Sequence, residues 1–223
     1  MSAEYTKPSE IERASFAIIR QELDMRGVIL PPEHRPVVER VIHTTADFDY
    51  AENLTFTEDA VSAGIAALRR GVDIITDTNM ARAGISAPGM ARLGGEVHCY
   101  MADPAIARDA RTADTTRAAA SMRYAAAKHP CAIFAVGNAP TALMELVTQM
   151  EDGFRPALVA AVPVGFVNVA EAKERILAAC ITCGVPAIVA RGRKGGSGVA
   201  CAVMNALIYA AADMQDPARR GWN

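Results

Sequence analysis

CAIFAVGNAPTAL, running from Cys131 to Leu143, carries a buried strand straight into a helix. Ala132 to Val136 is an unbroken apolar run with β-branched and aromatic members, the pattern of a strand covered on both faces. Gly137-Asn138 turns the chain, and Pro140 suits the first helical turn, where its missing N–H costs nothing. Thr141 onward continues as an apolar helix. In open parallel α/β sheets ligands collect at such strand ends, and the free amides of a helix N-terminus favour anions. An anion-binding cleft is therefore expected around Asn138 and Thr141.

Similar junctions lie on either side. Val72 to Thr76 (VDIIT) is a short buried strand leading into Asp77-Thr78-Asn79-Met80, a second turn rich in polar side chains. Glu96 to Met101 reads as another strand. Thr115-Thr116-Arg117 opens an Ala-rich helix to about His129, and Arg117 there opposes the positive end of the helix dipole. An anion between them would remove the conflict, although an exposed, snorkelling Arg fits the pattern equally well. Ala157 to Pro163 is a strand ending in Val164-Gly165-Phe166-Val167; Ala170 to Cys180 is a helix, and Val185 to Ala190 a final strand. Then comes Arg191-Gly192-Arg193-Lys194-Gly195-Gly196-Ser197-Gly198, before an apolar helix to about Ala212. Positive charges and glycines at a strand-to-helix junction make an anion cradle. The spacing is neither that of a Walker loop nor that of a dinucleotide fingerprint.

Towards the N-terminus, Ser9-Glu10-Ile11-Glu12 reads as a capping box opening a helix to about Met25, whose Arg20 is expected in solvent. Pro31-Pro32-Glu33 opens a second helix to about Thr45, with Val37, Val38, Val41 and Ile42 as its buried stripe. His43 lies off that stripe, one turn from Glu39. Carboxylate and helix C-terminus would both favour the imidazolium there. By pattern alone such a histidine is more often a surface residue or a helix cap. Asp47 to Phe56 reads as an irregular loop, and Thr57-Glu58-Asp59 caps a helix holding Val61, Ile65 and Leu68. His34, His98 and His129 belong to no visible polar constellation. The first eight residues and Asp213 to Asn223 read as a loose arm and tail.

The 223 residues suffice for one sizeable core, with no linker to divide them into more than one domain. Aromatic residues make up 5% and the net charge is −2, which argues against nucleic acid as a partner. No apolar run is long enough for a membrane span and no N-terminal signal is present, so a cytoplasmic protein is expected. The five cysteines then read as free thiols. Cys180 and Cys183 form a C-x-x-C, but the pair closes a helix, where the dipole raises a thiol pKa, so a structural role is favoured over redox or metal binding.

Taken together, several segments resemble the precorrin-8X / cobalt-precorrin-8 methylmutase family of corrinoid (cobalamin) biosynthesis. They are Ser15 to Arg20 (SFAIIR), Arg40 to His43 (RVIH), Gly137 to Leu143 (GNAPTAL), Val162 to Val167 (VPVGFV), and Arg191-Gly192-Arg193 with Gly195-Gly196-Ser197. They occur in the family's order from about residue 9 to 210. The resemblance implies a flavodoxin-like three-layer α/β/α sandwich with a mainly parallel sheet, assembled as a homodimer with sites near the interface. It implies an isomerase moving a methyl group from ring carbon 11 to ring carbon 12 of a tetrapyrrole. It places the catalytic histidine on His43 and an active-site arginine on Arg117. The sequence departs from the family at Cys180 and Cys183, away from these motifs.

The chemistry needs no cofactor of the protein's own, no protein-bound metal is expected, and any cobalt belongs to the substrate. A proton on the macrocycle would ease a sigmatropic methyl shift, with His43 as acid and then base. The substrate's peripheral carboxylates need holders: Arg117, Arg191, Arg193 and the amides around Asn138, Thr141 and Gly195-Gly196-Ser197 are suited. Ser15, Arg20 and Thr78 are further candidates, and Met80 and Phe166 could form apolar walls. A corrinoid carrier would need the same cradle without an acid at His43. A flavodoxin-like flavoprotein would rest on fold analogy alone. Metal-free and cobalt-containing substrates would suit these residues equally.

Overall fold

The computed structural model describes residues 7–220. Its middle layer is a sheet of six strands: β1 (Leu54–Phe56), β2 (Ile74–Thr76), β3 (Val97–His98), β4 (Ile133–Val136), β5 (Leu158–Ala161) and β6 (Ala187–Ala190). They stand in the order β1-β6-β5-β4-β2-β3, all parallel except β1, which runs antiparallel to β6. Counted from β2, the five parallel strands have the order 2-1-3-4-5 of flavodoxin-like folds.

Strand side chains alternate between two cores, as a period of two requires. Ile74, Ile133, Leu158 and Ile188 face one layer; Ile75, Phe134, Val159 and Val189 face the other. Burial on both faces explains the continuous apolar runs. The first layer contains α1 (Pro8–Met25), α2 (Arg35–Thr45), α4 (Ala60–Arg69), α5 (Asn79–Gly84), α6 (Ala87–Leu93) and α11 (Ser197–Ala211). The second contains α8 (Arg117–Lys128), α9 (Pro140–Glu151) and α10 (Val169–Cys183), with α7 (Pro104–Thr112) packed outside α8 through Ile106 and Ala110. The alanine-rich surfaces of α8 and α11 let these helices lie close to their neighbours.

Several expectations change. The capping box does not form: α1 begins at Pro8 after Lys7, without a side-chain cap, and Ser9 and Glu12 are buried instead. The expected loop of 47–56 holds a short helix α3 (Tyr50–Asn53) and the edge strand β1. Three residues are too few to announce a strand by alternation. The junction expected at Asp77 to Met80 does open a helix, α5, whereas α6 and α7, on either side of β3, were not anticipated in polar, alanine-containing sequence. The segment after α11 is not loose as far as Arg220: a 3₁₀ turn (Pro217–Arg220) returns to α1, where Asp216 meets Arg13 at 2.7 Å and Arg220 meets buried Glu12 at 2.9 Å. Most of the arm, and the last three residues, lie outside the described residues. Cys180 is fully buried, and burial, with Cys183 adding, pushes its thiol up to about 12, which suits a structural role. Among the described residues no helix is long and apolar enough to cross a membrane.

Candidate active site

β2 and β4 are neighbours, yet β2 leads into α5 on one face and β4 into α9 on the other. The carboxyl ends of these two strands therefore flank the sheet's switch point, where such folds place ligands. Here the position is filled from within. Asp77, fully buried, accepts hydrogen bonds from the amides of Gly137 (2.8 Å), Asn138 (2.8 Å) and Ala139 (2.7 Å). Burial pushes the Asp77 carboxyl above its ordinary value, against the pull of these three donors. The expectation that the Asn138 amide binds an external anion is thus corrected: the chain supplies its own carboxylate. What remains outward is the exposed Asn138 side chain and Thr141, whose hydroxyl accepts from Thr116 at 2.8 Å. Arg117 follows Thr116 at the start of α8, exposed, with no hydrogen bond or ion pair among the described residues.

The start of α11 lies directly over the end of β4. A Cβ on Gly137 would sit 2.8 Å from Ser197 Cα, so only glycine permits the approach. Gly195 is wedged against the carbonyls of Val162 and Pro163, and the Gly196 amide donates to Val162 O at 2.8 Å. The first amides of α11, which no helix satisfies internally, thereby face the strand ends. Thr78 caps α5 and shares a hydrogen bond with Ser197 at 2.8 Å, joining the β2 turn to this helix start.

The positive loop before α11 is less available than its composition suggests. Arg191 forms a two-pronged pair with Glu174 (2.8 and 2.9 Å), and Lys194 meets Asp47 and Asp49, each at 2.6 Å. Arg193 alone of the three is turned outward, its guanidinium 5.7 Å from the ring of the exposed Phe166. The loop is held by Lys173, fully buried in α10, which donates to Gly192 O (2.9 Å) and Lys194 O (2.7 Å). Burial lowers the Lys173 ammonium to about 8. Asp77 and Lys173 are the two anchors that sequence reasoning missed. A signal existed for Lys173: it falls within the buried stripe Val169, Ala172, Ile176 and Cys180.

His43 occupies the last turn of α2 at the surface, its ring stacked on Phe16 with centroids 5.0 Å apart and planes at 7°. The sequence suggested that Glu39 would favour its imidazolium. Glu39 is instead clamped by Arg20 at 2.9 to 3.0 Å and approached by Arg35 at 3.7 Å. Partial burial lowers the His43 pKa first; Arg40 lowers it further, Glu12 opposes, and Arg220 lowers it again. The resting ring is thus biased towards neutral imidazole. Next to His43, Thr44 lines a groove of about 360 Å³ with Arg40, Gly198, Tyr209 and Met80, the last 73% exposed. The α2 end, α5 and the α11 start therefore share one rim.

Two candidates face elsewhere. Ser15 donates to Ile11 O at 2.9 Å, back along its own helix. Arg20 is committed to Glu39 instead of standing free in solvent, although its side chain remains half exposed. So the structure gathers His43, Thr78, Met80, Gly196 and Ser197 on the α2–α5–α11 side. Thr141 meets Thr116, the residue before Arg117, on the α8–α9 side, with Phe166 and Arg193 forming a third cluster after β5 and β6. Arg191, Ser15 and Arg20 are turned to internal partners.

Comparison with known proteins gives this geometry a context. The family described as precorrin-8X methylmutase matches residues 10–210. The chain is 43% identical to the cobalt-precorrin-8 methylmutase of Salmonella typhimurium over 209 residues, 91% of this chain and 95% of that one. It is 41% identical to that of Priestia megaterium, covering 90% and 87% of the two chains. A crystal structure of precorrin-8X methylmutase from Thermus thermophilus superposes with a TM-score of 0.82 at 44% identity, covering 92% of this chain and 96% of that chain. With its mainly parallel sheet, its helix layers and its sequence agreeing over most of its length, the chain belongs to the precorrin-8X methylmutase family.

Proposed function

We propose that this methylmutase moves a methyl group from ring carbon 11 to ring carbon 12 of precorrin-8X or cobalt-precorrin-8, giving hydrogenobyrinate or cobyrinate, with His43 as acid and base. The observation that carries the reading is the exposed imidazole of His43, fixed flat against Phe16 and next in the chain to Thr44, which lines the groove with Met80 and Gly198. His43 lends a proton to the macrocycle; the carbon 11–methyl bond breaks as the carbon 12–methyl bond forms, and π electrons redistribute. Loss of a proton from the product side returns the system to balance, so no oxidant or reductant is consumed. The neutral bias of the free ring does not oppose this role. A substrate bearing several carboxylates brings negative charge to the site, which raises an imidazole pKa.

In this proposal the carboxylates meet Arg117, Arg193 and the helix amides of α11 that follow Gly196, whose own amide is committed to Val162. The Phe166 side chain (83% exposed) and Met80 offer apolar surface to the ring. The enzyme brings no cofactor, and cobalt, where present, arrives inside the substrate. Homodimer formation is supported by Ile11, Ile18 and Met25, which recur every seven residues on α1 and are 48%, 57% and 79% exposed.

The test is spectroscopic. Wild type and His43→Ala are incubated with metal-free and cobalt-containing substrate, and the visible spectrum is followed as conjugation extends. His43→Ala should bind substrate while converting it about 10²–10⁴-fold more slowly, the usual weight of a positioned acid. Conversion by His43→Ala at the wild-type rate would remove His43 from the mechanism. Binding without conversion by either protein would make the chain a corrinoid carrier.

A further inference from the structure

At the other end of β2, Asp73, His98 and His129 converge from three separate segments. Asp73 immediately precedes β2, His98 ends the edge strand β3, and His129 closes α8 before β4. The His129 Nδ1 lies 2.9 Å and the His98 Nε2 3.5 Å from the same oxygen, Asp73 Oδ2. One ligand atom from each residue falls within 4.8 Å of the others. A tetrahedral ion with bonds of about 2.1 Å holds its ligands roughly 3.4 Å apart, so the His98–Asp73 edge is already present and the His129–Asp73 edge needs to open by only about 0.5 Å. The rings of His98 and His129 are tilted by 30°, with centroids 4.7 Å apart.

The surroundings extend the match. The Tyr100 hydroxyl lies 2.6 Å from His129 Nε2. A hydroxyl accepting the Nε2 proton leaves the Nδ1 lone pair directed at Asp73, the arrangement by which outer partners orient ligating histidines. Glu96 Oε2 stands 3.7 Å from His98 Nε2 on an exposed side chain, within reach of a fourth position. The side chains of His129, His98 and Asp73 are 12%, 24% and 31% exposed, so an ion can enter from solvent. Two imidazoles with one carboxylate suit zinc-like transition ions and not magnesium or calcium.

We propose that Asp73, His98 and His129 form a binding site for a divalent transition-metal ion of the zinc type, with Tyr100 positioning His129. Four residue steps along β2 separate Asp73 from Asp77, roughly 13 Å at the usual strand rise. The metal site is therefore distinct from the substrate rim and does not touch the reacting atoms. Its effect is mechanical. β3 is two residues long and pairs only with β2, and the ion ties it to the starts of β2 and β4.

The test uses full-length, tag-free protein stripped with a chelator and titrated with zinc chloride by calorimetry, then with cobalt chloride in the visible region. Wild type should bind one equivalent of zinc saturably, melt at higher temperature with it, and give the d–d bands of a tetrahedral cobalt ion. His98→Ala should lose at least about 100-fold in affinity, and Tyr100→Phe about 10-fold, as outer-partner losses do. No saturable zinc in wild type would overturn the proposal. So would unchanged affinity in both His98→Ala and Asp73→Asn, which would assign the ion to cysteines. Should either variant fail to fold, the other, together with the wild-type titration, decides.

Discussion

His43 and Lys173 are both held below their ordinary proton affinity by burial, with different consequences. For His43 the active form in the proposed step is the imidazolium, so activity should fall as pH rises through its pKa. In the free enzyme that fall, read from kcat/KM, should centre below 6.5; in the complex, read from kcat, it should move to higher pH as substrate carboxylates approach. Coincident profiles would mean that the substrate's charge does not reach the imidazole. Lys173 has a folded value of about 8 against 10.5, so the unfolded chain binds more protons between them and stability should rise with pH across that window. Replacing it by Met removes two carbonyl contacts but also a buried charge. Global stability should then change by only about 1 kcal/mol. The loop should respond more strongly: amide exchange in residues 191–196 should accelerate and substrate binding should weaken. Unchanged exchange would show that the loop holds its shape without the lysine.

Among the elements, the junction of β4 with α11 tolerates little added volume. Gly137→Ala would place a methyl group 2.8 Å from Ser197 Cα and 3.0 Å from its amide nitrogen, and backbone cannot rotate aside. A loss of about 1–3 kcal/mol is expected from such overpacking, with weakened substrate binding. Gly198→Ala, whose Cβ would meet only Thr44 at 3.9 Å, is the control and should leave the melting temperature nearly unchanged. Equal melting temperatures for the two variants would mean that α11 slides freely. The strand and helix on either side of Gly137 were legible in the sequence because Ala132 to Val136 and Pro140 declare themselves locally. Asp77 was not, since its three amide partners lie about sixty residues further on and depend on β2 pairing with β4. The charged loop misled for the related reason that Glu174, Asp47 and Asp49, which neutralise Arg191 and Lys194, come from remote segments. The Asp73, His98 and His129 cluster was invisible for the same cause.

At the scale of the whole molecule, α1 presents apolar side chains outward while its inner face packs on the first core. If that stripe is the dimer surface, Ile18→Glu should convert the protein to monomers in light scattering after size exclusion, with its helical content intact; a dimer that survives would move the interface elsewhere. The parallel α/β sheet was legible from alternating strands and helices and its flavodoxin-like order followed from the family resemblance, whereas the antiparallel edge was not legible. Leu54 pairs with Ala190, so β1 is made early and finds its neighbour only when nearly the whole chain exists. During synthesis on a ribosome those three residues must wait, their amides unpaired, while every other strand is produced. A long apolar strand in that position would be an invitation to wrong partners. The brevity of β1, and the helical turn of α3 just ahead of it, keep the waiting segment from templating anything before β6 arrives.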